Sequence, residues 1–175
     1  MIDAGRQVEK WFYEYERDIT NYLVYFTGTR DVEDLVQDTF LRALQSFRSF
    51  RHDSNPKTWL ISIARNSAID SYRKRNVWQS LKDKLSRHTH EKDSVLTEDS
   101  LIKKAEFAQL YEAINQLKTS YRDVVLLRGI AELSSEEAGQ VLGWTANKVN
   151  VTYFRAVKKL NLLLKEDEQD AASFR

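Results

Sequence analysis

Residues 144–165 hold Lys148, Arg155, Lys158, Lys159 and Lys165 with no acid among them, and the same segment carries Asn150, Val151 and Phe154. Lysines and arginines at this density neutralise phosphates, asparagine and arginine make paired hydrogen bonds to base edges, and Val151 and Phe154 suit thymine methyls. A second basic stretch, Arg51 to Arg75, contains Lys57, Arg65, Asn66, Arg73 and Lys74 interleaved with Trp59 and Tyr72. Such surfaces suit single-stranded or distorted DNA, where a base leaves the stack while arginine and lysine hold the backbone. Trp59 and Tyr72 themselves read as core. A third set, Asp31, Glu33, Asp34 and Asp38, gathers carboxylates on an early helix turn. There they complement the helix dipole and face a partner rather than perform acid–base chemistry. Basic runs are also common as solvated helix faces, and a helical hairpin with one basic face remains the bland alternative.

The elements that must position these groups are helices. Val8, Trp11, Phe12, Tyr15, Ile19, Tyr22, Leu23 and Phe26 step by three and four, which predicts a first helix. Asp31 is placed to cap a second, with a stripe of Val32, Leu35, Val36, Phe40, Ala43, Leu44 and Phe47. Asn55-Pro56 opens a third, which buries Trp59, Leu60, Ile63, Ala64 and Tyr72. The polar stretch from about Gln79 onward, with His88 and His90, reads as an exposed tether. Periodicity resumes at Phe107, Leu110, Tyr111, Ile114 and Leu117, and Ser120 to Asp123 forms a capping arrangement ahead of Val124. Ser134 and Glu137 then form a capping box, Gly143 allows a turn and Thr145 caps the next helix, so residues 133–160 read as a helix-turn-helix. In its second helix Val149, Tyr153, Ala156, Leu160 and Leu163 face inward, leaving Asn150, Val151, Phe154, Arg155 and Lys158 on the groove-facing side.

Composition bounds the rest. With 42% hydrophobic and 30% charged residues, five Gly and one Pro in 175 residues, the chain reads as folded and all-α: two small helical domains joined by a flexible linker, the C-terminal one containing the helix-turn-helix. No Cys and three His leave no thiolate, no disulfide and no metal set, and no cofactor is called for. No segment is apolar enough for membrane insertion, and a cytoplasmic location is expected. There is no Gly-rich phosphate loop and no nucleophile elbow, so an enzyme with a small-molecule substrate is not expected. The net charge of +1 hides alternating blocks, two of them basic.

Three stretches in order, Asp31 to Ala43, Thr58 to Asp70, and 133–160, resemble the extracytoplasmic-function sigma factors, promoter-specificity subunits of bacterial RNA polymerase. The resemblance implies a sigma region two domain over 1–78, a linker over 79–104, a sigma region four domain over 105–168 and an acidic tail over 169–175. It implies no covalent chemistry. It places Asp34, Leu35, Gln37, Asp38 and Phe40 near the clamp helices of core RNA polymerase. The loop from Phe50 to Lys57 would hold a base flipped from the minus 10 element of promoter DNA, with Arg51, Lys57, Arg65, Asn66, Arg73 and Lys74 as contacts. Lys148, Asn150, Val151, Phe154, Arg155 and Lys158 would read the minus 35 element. Where many members carry Thr-Val-Lys-Ser-Arg, this chain has Lys148-Val-Asn-Val-Thr152, so the sequence it reads cannot be borrowed from relatives. The family also implies an anti-sigma factor as partner. A stand-alone helix-turn-helix regulator is the alternative, and it leaves residues 31–75 without a role. The acidic run Glu166 to Asp170 either solubilises the last helix or folds back on a basic face.

Overall fold

A computed structural model describes residues 3–51, 54–85 and 98–173, with side chains over 3–51, 54–77 and 107–166. The described residues are helical, with no strand among them. The helices are α1 (Ala4–Thr27), α2 (Glu33–Gln45), α3 (Pro56–Leu85), α4 (Glu98–Asn115), α5 (Thr119–Val125), α6 (Ser135–Leu142) and α7 (Ala146–Ser173). Helix α3 runs to Leu85 and α4 begins at Glu98, both inside the segment read as a tether; its centre, with His88 and His90, lies outside the described residues.

The first unit packs α1, α2 and α3 against one another. Ile19, Leu23, Ala43, Leu60, Ile61 and Ala64 are fully buried at its centre. At one end Trp11, Phe50 and Trp59 cluster, with Trp11 edge-on to Phe50 at a centroid distance of 4.9 Å and Phe50 5.0 Å from Trp59. Such ring pairs add about 0.5–1.5 kcal/mol each beyond area burial. Asn55 caps α3 by accepting the Lys57 N–H at 2.9 Å, as its sequence position predicts. Asp31 does not cap α2: Val32 stands at the cap without a side-chain bond, and the Asp31 N–H instead donates to the Thr29 hydroxyl.

The second unit packs α4, α5 and α6 around α7, on a core of Ile114, Val124, Leu126, Leu127, Leu133 and Val149. Lys118, not Ser120, stands at the cap of α5, and Asp123 is a mid-helix residue with a partner elsewhere. After α5 the chain widens into a π-helical turn over Leu126–Ile130. Arg128 follows that turn down, donating to the Leu133 carbonyl and lying over the Tyr153 ring at 5.3 Å, so the entry to α6 is tied to α7. Helix α7 is unbroken through Ser173, so Glu166 to Asp170 continue it and do not turn back.

The two units share one continuous hydrophobic core. Helix α1 packs on the π-helical turn and α3 packs on α6. Gly28 ends α1 in the left-handed conformation, φ 75°, and a β-carbon there would sit 2.2 Å from the Tyr111 ring of α4. Only glycine meets both demands. Arg122 crosses from α5 to donate to the Phe26 carbonyl at 2.8 Å.

Candidate nucleic-acid interface

The helix-turn-helix is built from local signals. The Ser134 hydroxyl accepts the Glu137 N–H at 3.1 Å, and the Ser134 N–H donates to Glu137 Oε2 at 2.7 Å, closing the capping box. Gly143 ends α6 at φ 68°, and Thr145 caps α7 by accepting the Lys148 N–H at 3.2 Å. A β-carbon on Gly139 would meet the Trp144 carbonyl at 2.5 Å, so glycine there lets the turn fold against α6. Helix α7 buries Val149, Ala156, Leu160 and Leu163, and its opposite face exposes Lys148, Asn150, Val151, Phe154, Arg155, Lys158 and Lys159. Phe154 is 73% exposed and stands beside exposed Val151, so the two form a small apolar spot within the basic face. Lys148 lies 4.0 Å over the Trp144 ring, which holds its ammonium at the start of the helix. Asn150 is engaged on one side by the Ser135 hydroxyl of α6. Its opposite side and the neighbouring cations face solvent.

The basic face of the first unit is organised differently. Arg51, Asn66, Arg73 and Lys74 are exposed, and so is Tyr72, which was expected in the core and is 66% accessible. Lys57 and Arg65 are half-buried and paired: Lys57 Nζ lies 3.1 Å from Asp18, and Arg65 lies 3.3 Å from Asp123 of α5. Asn55 donates to Glu137 Oε1 at 2.6 Å, so the capping carboxylate of α6 also bonds the cap of α3. Burial alone would push the Glu137 carboxyl up, but bonds from the Ser134 backbone and from Asn55 outweigh it and hold the group below its ordinary 4.5. Tyr22 sits against the Arg65–Asp123 pair; burial pushes its phenol up, Arg65 and Arg122 opposing and Asp123 adding. Between α3 and α6 opens a cleft of about 480 Å³ of mixed character, lined by Ser49, Arg51, Ser54, Thr58, Trp59 and Ser62 on one side and Gln140 and Val141 on the other. Phe50, at the head of this loop, is buried in the aromatic cluster and anchors the loop rather than facing the cleft.

On α2, Asp34, Gln37, Leu41 and Leu44 fall three, four and three residues apart on one outer stripe, all exposed. Leu44 was expected inside. Leu35 is half-buried, and Phe40 is buried at 7%, packed edge-on against Phe12, so it supports this face from beneath. Asp38 pairs with Arg42 at 2.8 Å, and Arg42 also reaches Asp70 of α3 at 3.2 Å. The sequence reading missed Leu41 and Arg42, although the 34, 37, 41, 44 spacing was there to find the first. Among the described residues no group of three or more His, Cys, Asp or Glu could hold a metal ion, and no helix is long and apolar enough to cross a membrane.

Sigma-70 region 2 matches residues 11–77, and sigma-70 region 4 matches residues 107–160. The RNA polymerase sigma factor YlaC of Bacillus subtilis is 34% identical over 93% of this chain and 96% of its own length. The ECF RNA polymerase sigma factor SigX of the same organism is 32% identical over 89% of this chain and 84% of its own. Among solved structures, the sigma factor RpoE in complex with the anti-sigma factor NepR from Bartonella quintana superposes with a TM-score of 0.70 at 25% identity, covering 91% of this chain and 98% of that one. CnrH in complex with the cytosolic domain of CnrY gives 0.68 at 26%, covering 93% and 90%. With both regions matched in order and relatives aligned almost end to end, the chain belongs to the extracytoplasmic-function sigma factors.

Proposed function

We propose that the chain binds core RNA polymerase in the cytoplasm and directs it to promoters carrying two separated elements, without covalent chemistry of its own. Residues 1–78 serve as the polymerase-binding and minus 10 unit, and residues 105–168 as the minus 35 unit. The observation that carries this reading is the face of α7: Lys148, Asn150, Val151, Phe154, Arg155 and Lys158 are all exposed on a capped helix-turn-helix whose inner face is fully packed. Asn150 and Arg155 are the base readers, Val151 and Phe154 the apolar contacts, and Lys148 and Lys158 the phosphate contacts. In the first unit Arg51, Asn66, Arg73 and Lys74 line an exposed cationic edge for the downstream element; Lys57 and Arg65 join it once released from Asp18 and Asp123. The stripe of Asp34, Gln37, Leu41 and Leu44, flanked by Asp38, is the polymerase-facing surface. The likeness to RpoE bound to an anti-sigma factor supports a protein of that kind as the regulatory partner.

The test is reconstitution with sigma-free core polymerase and mapping of transcript starts on genomic DNA. New starts sharing two spaced elements are expected, lost with Asp38→Arg and with Arg155→Ala. DNA binding by the chain alone, with no new starts, would instead make it a stand-alone regulator.

A further inference from the structure

We infer that Ser135 sets which base Asn150 can read, by fixing the orientation of its side-chain amide. This rests on α7 being the helix that reads DNA. Ser135 is the first residue of α6, 7% exposed, and its hydroxyl donates to Asn150 Oδ1 across the helix-turn-helix. The direction of this bond has a physical cause. The first turn of α6 presents unpaired backbone N–H groups and the positive end of the helix dipole, which favours the amide oxygen there and disfavours the NH2. Asn150 lies on the second turn of α7 and is itself exposed, so with Oδ1 drawn toward α6 the end of its amide turned outward is Nδ2, which carries two donors.

A free asparagine is suited to adenine, because it accepts from N6 while donating to N7. An asparagine whose oxygen is drawn toward α6 and held there by Ser135 does not present that oxygen to adenine N6, even though a second lone pair remains on it. Its outward end donates only, and the base whose major-groove edge offers acceptors alone in the matching places is guanine, through O6 and N7. Asn150, within Lys148-Val-Asn-Val-Thr152 of α7, is thus a guanine reader, with Ser135 of α6 as its positioning residue.

The experiment selects a randomised upstream element with the full-length chain on core RNA polymerase, for the wild type and for Ser135→Ala, Asn150→Ala and Arg155→Ala, with thermal melts showing each variant folded. One position is expected to favour guanine over adenine by about fivefold or more in the wild type, the scale of a good base contact. That preference should vanish in Asn150→Ala, and in Ser135→Ala it should move toward adenine at the same position while other positions hold. Adenine at the Asn150-dependent position of the wild type, or an unchanged ratio in Ser135→Ala, overturns the inference while leaving α7 as the reader. A selected element that neither Asn150→Ala nor Arg155→Ala alters overturns the reading of α7 itself, and the inference with it.

Discussion

The two cationic faces of this chain are equally legible as charge and unequally available as surface. On α7 the candidate contacts stand in solvent, and one neutral side chain is already oriented by a neighbour. On α3, Arg65 and the cap residue Asn55 are held by Asp123 and Glu137, carboxylates that belong to the other unit. A carboxylate on an arginine offers what a phosphate offers, two anionic acceptors. On the function proposed above, the second unit would thus occupy part of the first unit's DNA-binding face with groups that imitate the ligand, and the contacts that join the units would compete with the downstream element.

That contrast can be broken most forcefully through the cores. Leu60 and Leu127 are both fully buried, one in each unit. Truncating either to alanine should cost about 2–5 kcal/mol. Because one core runs through both units, calorimetry should show each variant lowering a single transition; two transitions, only one of which moves, would mean that the units melt independently. The next effect is at the seam. Asp123→Ala leaves Arg65 half-buried without its partner, which should cost about 1–3 kcal/mol, between the exposed and the fully buried cases. Fluorescence anisotropy with a single-stranded oligonucleotide should show tighter binding by this variant than by the wild type, whereas unchanged or weaker binding would remove the competition. On the open face, Lys158→Ala should lower the slope of log affinity against log salt by about 1, across all sequences alike. A sequence-dependent loss would make Lys158 a base contact.

The smallest effect concerns pH. The Glu137 carboxyl is held below 4.5 in the folded chain, so its bonds to Ser134 and Asn55 contribute stability above that value. The contribution falls away as pH drops through the folded pKa. Melts between neutral pH and the acid limb should show Glu137→Gln less stable than the wild type at neutral pH, with the gap narrowing on acidification. A constant gap would place the stabilising effect elsewhere.

How much of this was readable beforehand follows from range. Caps are local, and those at Asn55, Ser134 with Glu137, and Thr145 form where residue type and spacing put them. The buried stripe of α7 was equally plain, since a single periodicity determines it. Asp31 failed as a cap because the helix begins one residue later than its position requires, with Val32 at the cap. Tyr72 and Leu44 read as core because pattern finds which face is apolar and not whether a neighbour covers it. The pairing of Arg65 with Asp123 could not be read, because the partner lies 58 residues away, beyond any local rule. On α7 the exposed residue types could be read, but the bond from Ser135 that orients Asn150 spans 15 residues and a turn.

Gly28 ends α1 and at the same time leaves the hollow that the Tyr111 ring fills. A methyl group added there would strain a left-handed backbone and at the same time push the tip of the Tyr111 ring out of its hollow, at a point that touches none of the residues proposed for DNA or polymerase. The seam between the units can therefore be loosened without altering a single contact residue.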